Sequence, residues 1–141
     1  MTETRDWPIV DSKEEFHSRH LSNHMANSVF HDGYYYGIHG NSHRRRTCTF
    51  VCISADDGEK VWAERGFGCG SVVLAGDHLL ILSDQGELTC APASPSGFIP
   101  TAKIKVVDGK CWTAPTFLEN RVYCRTAKGE LACWKLVAKD E

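Results

Sequence analysis

The chain has 141 residues, 42% hydrophobic and 24% charged, which is the make-up of one globular domain and excludes a disordered or low-complexity segment. A formal net charge of -2 and a pI near 6.4 give no general reason to expect nucleic acid or an acidic membrane surface as a partner. No apolar stretch reaches 18 residues, so no membrane span is expected.

The chain opens MTETRDWPIV, with neither a basic n-region nor an apolar h-region, so no signal peptide is expected there. The stretch FHSRHLSNHM follows. Its His17, His20 and His24 are spaced i, i+3 and i+7, which on a helix would place them on one face able to hold zinc or another transition metal. In an extended chain they diverge, and a surface or edge-covering role is then expected.

Strand chemistry begins near Ser28. The segment SVFHDGYYYG holds two short apolar runs around an Asp32-Gly33 turn, with Tyr34, Tyr35 and Tyr36 in the second run. Between Gly37 and Cys52 lies an insertion containing Gly40-Asn41-Ser42-His43-Arg44-Arg45-Arg46. Three arginines on an exposed loop can bind phosphate or carboxylate groups bidentately, which makes His43, Arg44, Arg45 and Arg46 binding candidates. The competing reading is solvated padding beside a hairpin, with alternate side chains of an extended run pointing to opposite faces. Nucleic-acid binding is not expected, since it needs interleaved aromatics or a wider basic surface.

The next unit reads Ser71 to Ala75 as a strand, Gly76-Asp77 as a hairpin turn, His78 to Ser83 as a second strand and Asp84-Gln85-Gly86 as a second turn. Glu87 to Ala91 is a third strand and, after a Pro/Ser/Gly loop, Ala102 to Val107 a fourth. This unit repeats. Val72 to Ala91 aligns without a gap on Pro115 to Trp134, and Ser28 to Gly37 matches Val72 to Ile81. Four antiparallel strands in roughly 40 to 45 residues is one blade of a β-propeller. The chain divides accordingly into an N-terminal segment 1–26, a remnant or strand of a preceding blade, then a blade with a long loop at 27–68, a blade at 69–109 and a terminal incomplete blade at 110–141.

The segment CISADDGEKVW, Cys52 to Trp62, joins third and fourth strands through an Asp-Gly turn and ends in Trp. It resembles the pyrroloquinoline-quinone-like (PQQ-like, quinoprotein alcohol dehydrogenase-like) repeat, A-x-D-x-x-T-G-x-x-x-W: Gly58 and Trp62 match, whereas Ser54 and Asp57 replace the family's Asp and Thr. GSVVLAGDHLLILSDQGEL and GKCWTAPTFLENRVYCRTAKGEL look like closing blades of bacterial proteins of this kind. The resemblance implies an all-β partial propeller of about three consecutive four-stranded antiparallel blades, the last incomplete. In the family's dehydrogenases it further implies a quinone on a Trp floor, a calcium ion held by carboxylates and amides, and an Asp base. No cluster of acids at first-strand ends is visible for that purpose, and Asp77, Glu119 and Asn120 read as turn residues, so neither quinone nor calcium is expected.

Seven cysteines make an odd set without a CxxC pair, so no zinc ribbon or thioredoxin-like site is expected. Cys52, Cys90 and Cys133 share one repeat position in third strands and are expected to be buried thiols, structural like Gly58, Trp62, Gly86 and Gly129. Cys48 and Cys52 fall on one strand face, too far apart to bond with each other. Cys69 and Cys111 each precede a first strand, near the ends where a ligand would sit. Trp112 occupies the repeat position of Cys69 and joins the binding candidates, while Trp62 is expected to wedge between blades.

Fewer than four blades do not close a ring, so the open faces and edges need covering by missing blades, by other copies or by the N-terminal segment. The expected function is a non-catalytic scaffold that binds a protein partner or self-associates through loops and open edges. The alternatives are a fragment of a quinone-dependent oxidoreductase and a metal-binding module built on the N-terminal histidines. Family members are often exported, and the compartment is left open.

Overall fold

A computed structural model describes residues 13–139. It contains three antiparallel sheets in chain order. The first is β1 (Val29–His31), β2 (Tyr34–His39), β3 (Thr49–Ser54) and β4 (Lys60–Glu64). The second is β5 (Ser71–Ala75), β6 (His78–Leu82), β7 (Glu87–Pro92) and β8 (Ala102–Lys105), and the third is β9 (Thr116–Leu118), β10 (Arg121–Arg125) and β11 (Leu131–Lys135). Every sheet is a simple meander, and β5 touches β1 and β2 on one side and β9 on the other. First strands as neighbours around a common axis are the arrangement of propeller blades. The expected architecture, a partial propeller with an incomplete last blade, is what the chain adopts.

Local chemistry accounts for the repeat. In the second blade the amide of Ser83 donates to the carbonyl of Glu87 at 2.8 Å and the Ser83 hydroxyl accepts from the Glu87 amide at 3.1 Å. In the third blade Thr126 and Glu130 reproduce both bonds, at 2.9 and 3.1 Å. Each turn ends in a glycine with positive φ, 87° at Gly86 and 93° at Gly129. A side chain at Gly86 would also run into the carbonyl oxygen of Val107, so only glycine fits there.

The alternation of β6 explains why its run His-Leu-Leu-Ile-Leu is apolar on both faces. Leu79 and Ile81 join Tyr36, Ile38, Phe50 and Val72 in a core between the first and second blades. Leu80 and Leu82 point the other way and join Leu88, Val106, Cys111, Val122 and Cys124 between the second and third. Trp62 wedges into the first of these cores, its ring 5.5 Å from Phe50 and 5.7 Å from Phe98, with Nε1 donating to the carbonyl of Ser94 at 3.0 Å. Trp134, 38% exposed, donates across the second junction to the carbonyl of Val106 at 2.8 Å.

The two ends of the array differ. On the first blade the N-terminal segment folds back: Leu21 lies against Gly37, Phe16 and Ser18 lie against Gly58, and the Ser18 hydroxyl donates to the Gly58 carbonyl at 2.6 Å. Val51 and Ile53 of that outward-facing side are buried. On the third blade the outward face is open, with Leu131 68% exposed, and β11 has no strand partner on its far side among the described residues. Tyr123, Arg125 and Leu131 stand where the second blade has Leu80, Leu82 and Leu88, so this face is the more polar of the two. Burial of Cys133 is therefore corrected: its position points toward the following blade, and it is exposed here. Its counterparts Cys52 and Cys90, which have that neighbour, are buried and half-buried.

Candidate functional site: a loop end gathered around Asp84

The inserted run does not form an extended strand. Asn41 caps a 3-10 helix, Ser42–Thr47, by accepting from the His43 amide at 2.9 Å, and the Thr47 hydroxyl closes it on the Arg44 carbonyl at 2.7 Å. Arg45 reaches across to the second blade and grips Asp84 bidentately, Nε to Oδ2 at 2.5 Å and Nη2 to Oδ1 at 2.6 Å. Arg44 and Arg46 stay exposed, and Arg65, from the connection between β4 and β5, donates to the Arg46 carbonyl at 3.2 Å. Ser42 to Thr47 line a shallow surface depression.

Asp84 ties three blades together. Its side chain is 5% exposed and accepts from Arg45 of the first blade and from the Cys69 amide, at 3.0 Å, where the second blade begins. Its carbonyl accepts from the Cys111 amide at 3.0 Å, where the third begins. Burial alone would push this carboxyl up, but the Arg45 hydrogen bonds and the Cys69 amide more than offset it and hold the group below the usual carboxylate range. The same contact raises the Arg45 guanidinium further. Gly68 passes so close that a side chain there would strike the Asp84 carboxylate.

A disulfide runs beside this pair, Cys48 to Cys69, with Cα atoms 5.8 Å apart. One expectation, a shared strand for Cys48 and Cys52, is corrected here. Cys48 lies at the end of the 3-10 helix and outside β3, so it does not share a strand with Cys52, and Cys69 is taken up by a covalent link between blades. Cys111 is buried with its thiol 3.7 Å from the Gly109 carbonyl. Burial raises the thiols of Cys90 and Cys111 and pushes Cys52 and Cys124 up to about 11. The buried Tyr36 hydroxyl, whose cross-strand neighbour is Cys52, is also raised by burial.

Trp112 follows Cys111 on the same end of the molecule. It is 51% exposed, with the Lys110 ammonium 5.5 Å from its ring centre. The structure thus brings Arg44, Arg45, Arg46 and Trp112 to one end and makes Arg45 a structural member of the group. His43 is exposed on the helix, its ring 6.3 Å from that of His24.

The N-terminal histidines lie on irregular chain, not on a helix, and diverge. His17 is 3.7 Å from Glu14, His20 is 3.7 Å from Glu59, and His24 Nδ1 accepts from the Ser42 amide at 3.3 Å. Among the described residues no three His, Cys, Asp or Glu side chains converge. Asp77, Glu119 and Asn120 occupy hairpin turns, as their neighbours predict. Trp7 lies outside the described residues. No helix among the described residues is long and apolar enough to cross a membrane.

Asp84 is the residue sequence reasoning passed over, since it reads as one more turn acid. The signal was a break in the repeat: the third blade has Ala127 at that position, although the bonds on either side of it are kept.

Comparison with solved structures agrees with this fold. BamB from Moraxella catarrhalis is similar over 74% of this chain and 29% of that chain, at 17% identity and a TM-score of 0.55. The computationally designed Ika4 protein is similar over 90% of this chain and 100% of that chain, at 10% identity and a TM-score of 0.50. The chain therefore spans under a third of BamB's length, and the likeness concerns the β-propeller fold alone. No protein-family model and no curated protein matches the sequence.

Proposed function

We propose that this chain is a non-catalytic scaffold of PQQ-like repeats that holds a protein partner at its loop end and through its open strand edge. One observation carries the reading most of the way. Asp84 spends its carboxylate on fastening Arg45, and the result is a rigid platform from which Arg44, Arg46 and Trp112 project into solvent. Function on a propeller resides in loops positioned by a stiff framework. The far side of β11, which has no strand partner among the described residues, offers a second mode, main-chain pairing with a supplied strand.

The enzyme alternative, a quinone-dependent oxidoreductase fragment, predicts uptake of calcium and quinone with a quinone absorbance and dye reduction. The histidine alternative predicts stoichiometric zinc that is lost when His17 and His20 are replaced. The scaffold reading expects purified protein, incubated with calcium and PQQ and then desalted, to show neither absorbance nor turnover, and to associate in a concentration-dependent way in sedimentation. Quinone retention with dye reduction would replace it by the enzyme reading.

A further inference from the structure

In a meander successive turns fall alternately at opposite ends, so the topology sorts the loop residues into two groups. The end holding the β1–β2, β3–β4, β5–β6, β7–β8 and β9–β10 turns carries exposed Asp32, Asp56, Asp57, Glu59, Asp77 and Glu119, with Lys60, Arg121 and Lys135 at the adjoining strand ends. The opposite end, which holds the other connections, carries Arg44, Arg45, Arg46, Arg65, Lys110 and Lys128 against Asp84, Asp108 and Glu130, with Lys105 and Arg125 against Glu64 and Glu87 at the adjoining strand ends. Two of those acids have cations of their own: Asp84 is held by Arg45, and Asp108 lies 3.9 Å from Lys105. Among the described residues this end is therefore net basic.

That end also holds an apolar anchor. Exposed Trp112 and the arginine helix are both fastened to Asp84, Trp112 through the adjoining Cys111 amide and the helix through Arg45. Exposed tryptophan and arginine are the residue types that dominate protein-binding surfaces. A long polyanion would meet only this one end and a single aromatic ring, which is a poor match to nucleic acid. The acidic end of a second copy would satisfy the charge, yet stacking copies end to end leaves an open filament.

We propose that the basic end docks an extended acidic segment of a partner protein, with carboxylates on Arg44, Arg46 and Arg65 and an apolar side chain against Trp112. The inference rests on the scaffold reading and names the chemistry of the partner. A fluorescein-labelled peptide alternating Glu with Phe and Leu, and its counterpart with Gln for every Glu, would be titrated with the full chain and followed by anisotropy. The acidic peptide is expected to bind at least ~10-fold more tightly than the Gln peptide and to be released near ~1 M salt, where screening shortens to about 3 Å. The double variant Arg44→Glu/Arg46→Glu should weaken binding ~10-fold or more at unchanged Tm, Trp112→Ala should weaken it too, and Asp56→Lys/Asp57→Lys at the far end should leave it intact. Equal binding of the two peptides, or indifference to Arg44→Glu/Arg46→Glu, would overturn the proposal. So would tighter binding of a charge-matched single-stranded oligonucleotide, or end-to-end stacks of the protein that the same double variant disperses. None of these outcomes bears on the quinone and calcium test, so the two readings fail separately.

Discussion

Arg45 and Asp84 are 39 residues apart and belong to different blades, yet they form a two-pronged ion pair whose acidic member is almost wholly buried. The pair, the adjacent Cys48–Cys69 link and the amide of Cys111 fasten the loops of three blades at one point. Everything projecting from that end inherits its position from this junction.

The pair predicts a pH dependence. Asp84 titrates below its unfolded value, so its contribution is fully present above the unfolded carboxylate range and fades as pH falls through the lower folded value. Asp84→Asn is expected to cost about 2–3 kcal/mol at pH 7, because Arg45 loses its charged acceptor at a buried site. The difference from the parent protein should shrink below pH ~4. Urea denaturation between pH 7 and pH 3 measures both.

The link between Cys48 and Cys69 predicts a thiol count. Fully denatured protein that has not been reduced should titrate as five thiols, corresponding to Cys52, Cys90, Cys111, Cys124 and Cys133. A count of seven would remove the disulfide from the account. Replacing Cys48 and Cys69 together by Ser should lower stability by about 3 kcal/mol, as expected when a loop of this length is no longer closed.

The native thiols should differ sharply in rate. Cys133 is exposed, whereas Cys52 and Cys124 are buried with titration pushed up to about 11, so at neutral pH they are neither reachable nor ionised. Brief maleimide treatment followed by peptide mapping should label Cys133 first. Labelling of Cys52 at a similar rate would mean that the first two blades do not close on each other.

Glycines separate turn conformation from close packing. Gly76 has φ 63° and open space around it, so Gly76→Ala should cost about 1 kcal/mol for its left-handed backbone. Gly86 has φ 87° and also faces the Val107 carbonyl, so Gly86→Ala should cost clearly more. Thermal unfolding of the two variants side by side checks the order.

Much of the fold was legible because its determinants are local. Turn residues such as Gly76-Asp77 and Asp84-Gln85-Gly86, with strands between them, recur at fixed spacing, and a strand apolar on both faces, such as β6, marks a central blade. The junction at Asp84 was not legible, since it joins residues that no local pattern connects. The arginine run read as extended or padded because the Asn41-Ser42 cap that winds it into a 3-10 turn was overlooked. Cys133 shows the limit of repeat logic: equivalent positions share an environment only when a neighbouring blade supplies it.

The most direct test is a double-mutant cycle on Arg45 and Asp84, measured by denaturant unfolding of the parent, Arg45→Ala, Asp84→Ala and the double variant. Stacked blades tied at this point predict a coupling of about 1–3 kcal/mol. Additive effects within about 0.3 kcal/mol would place the two residues apart and contradict the arrangement of the first two blades.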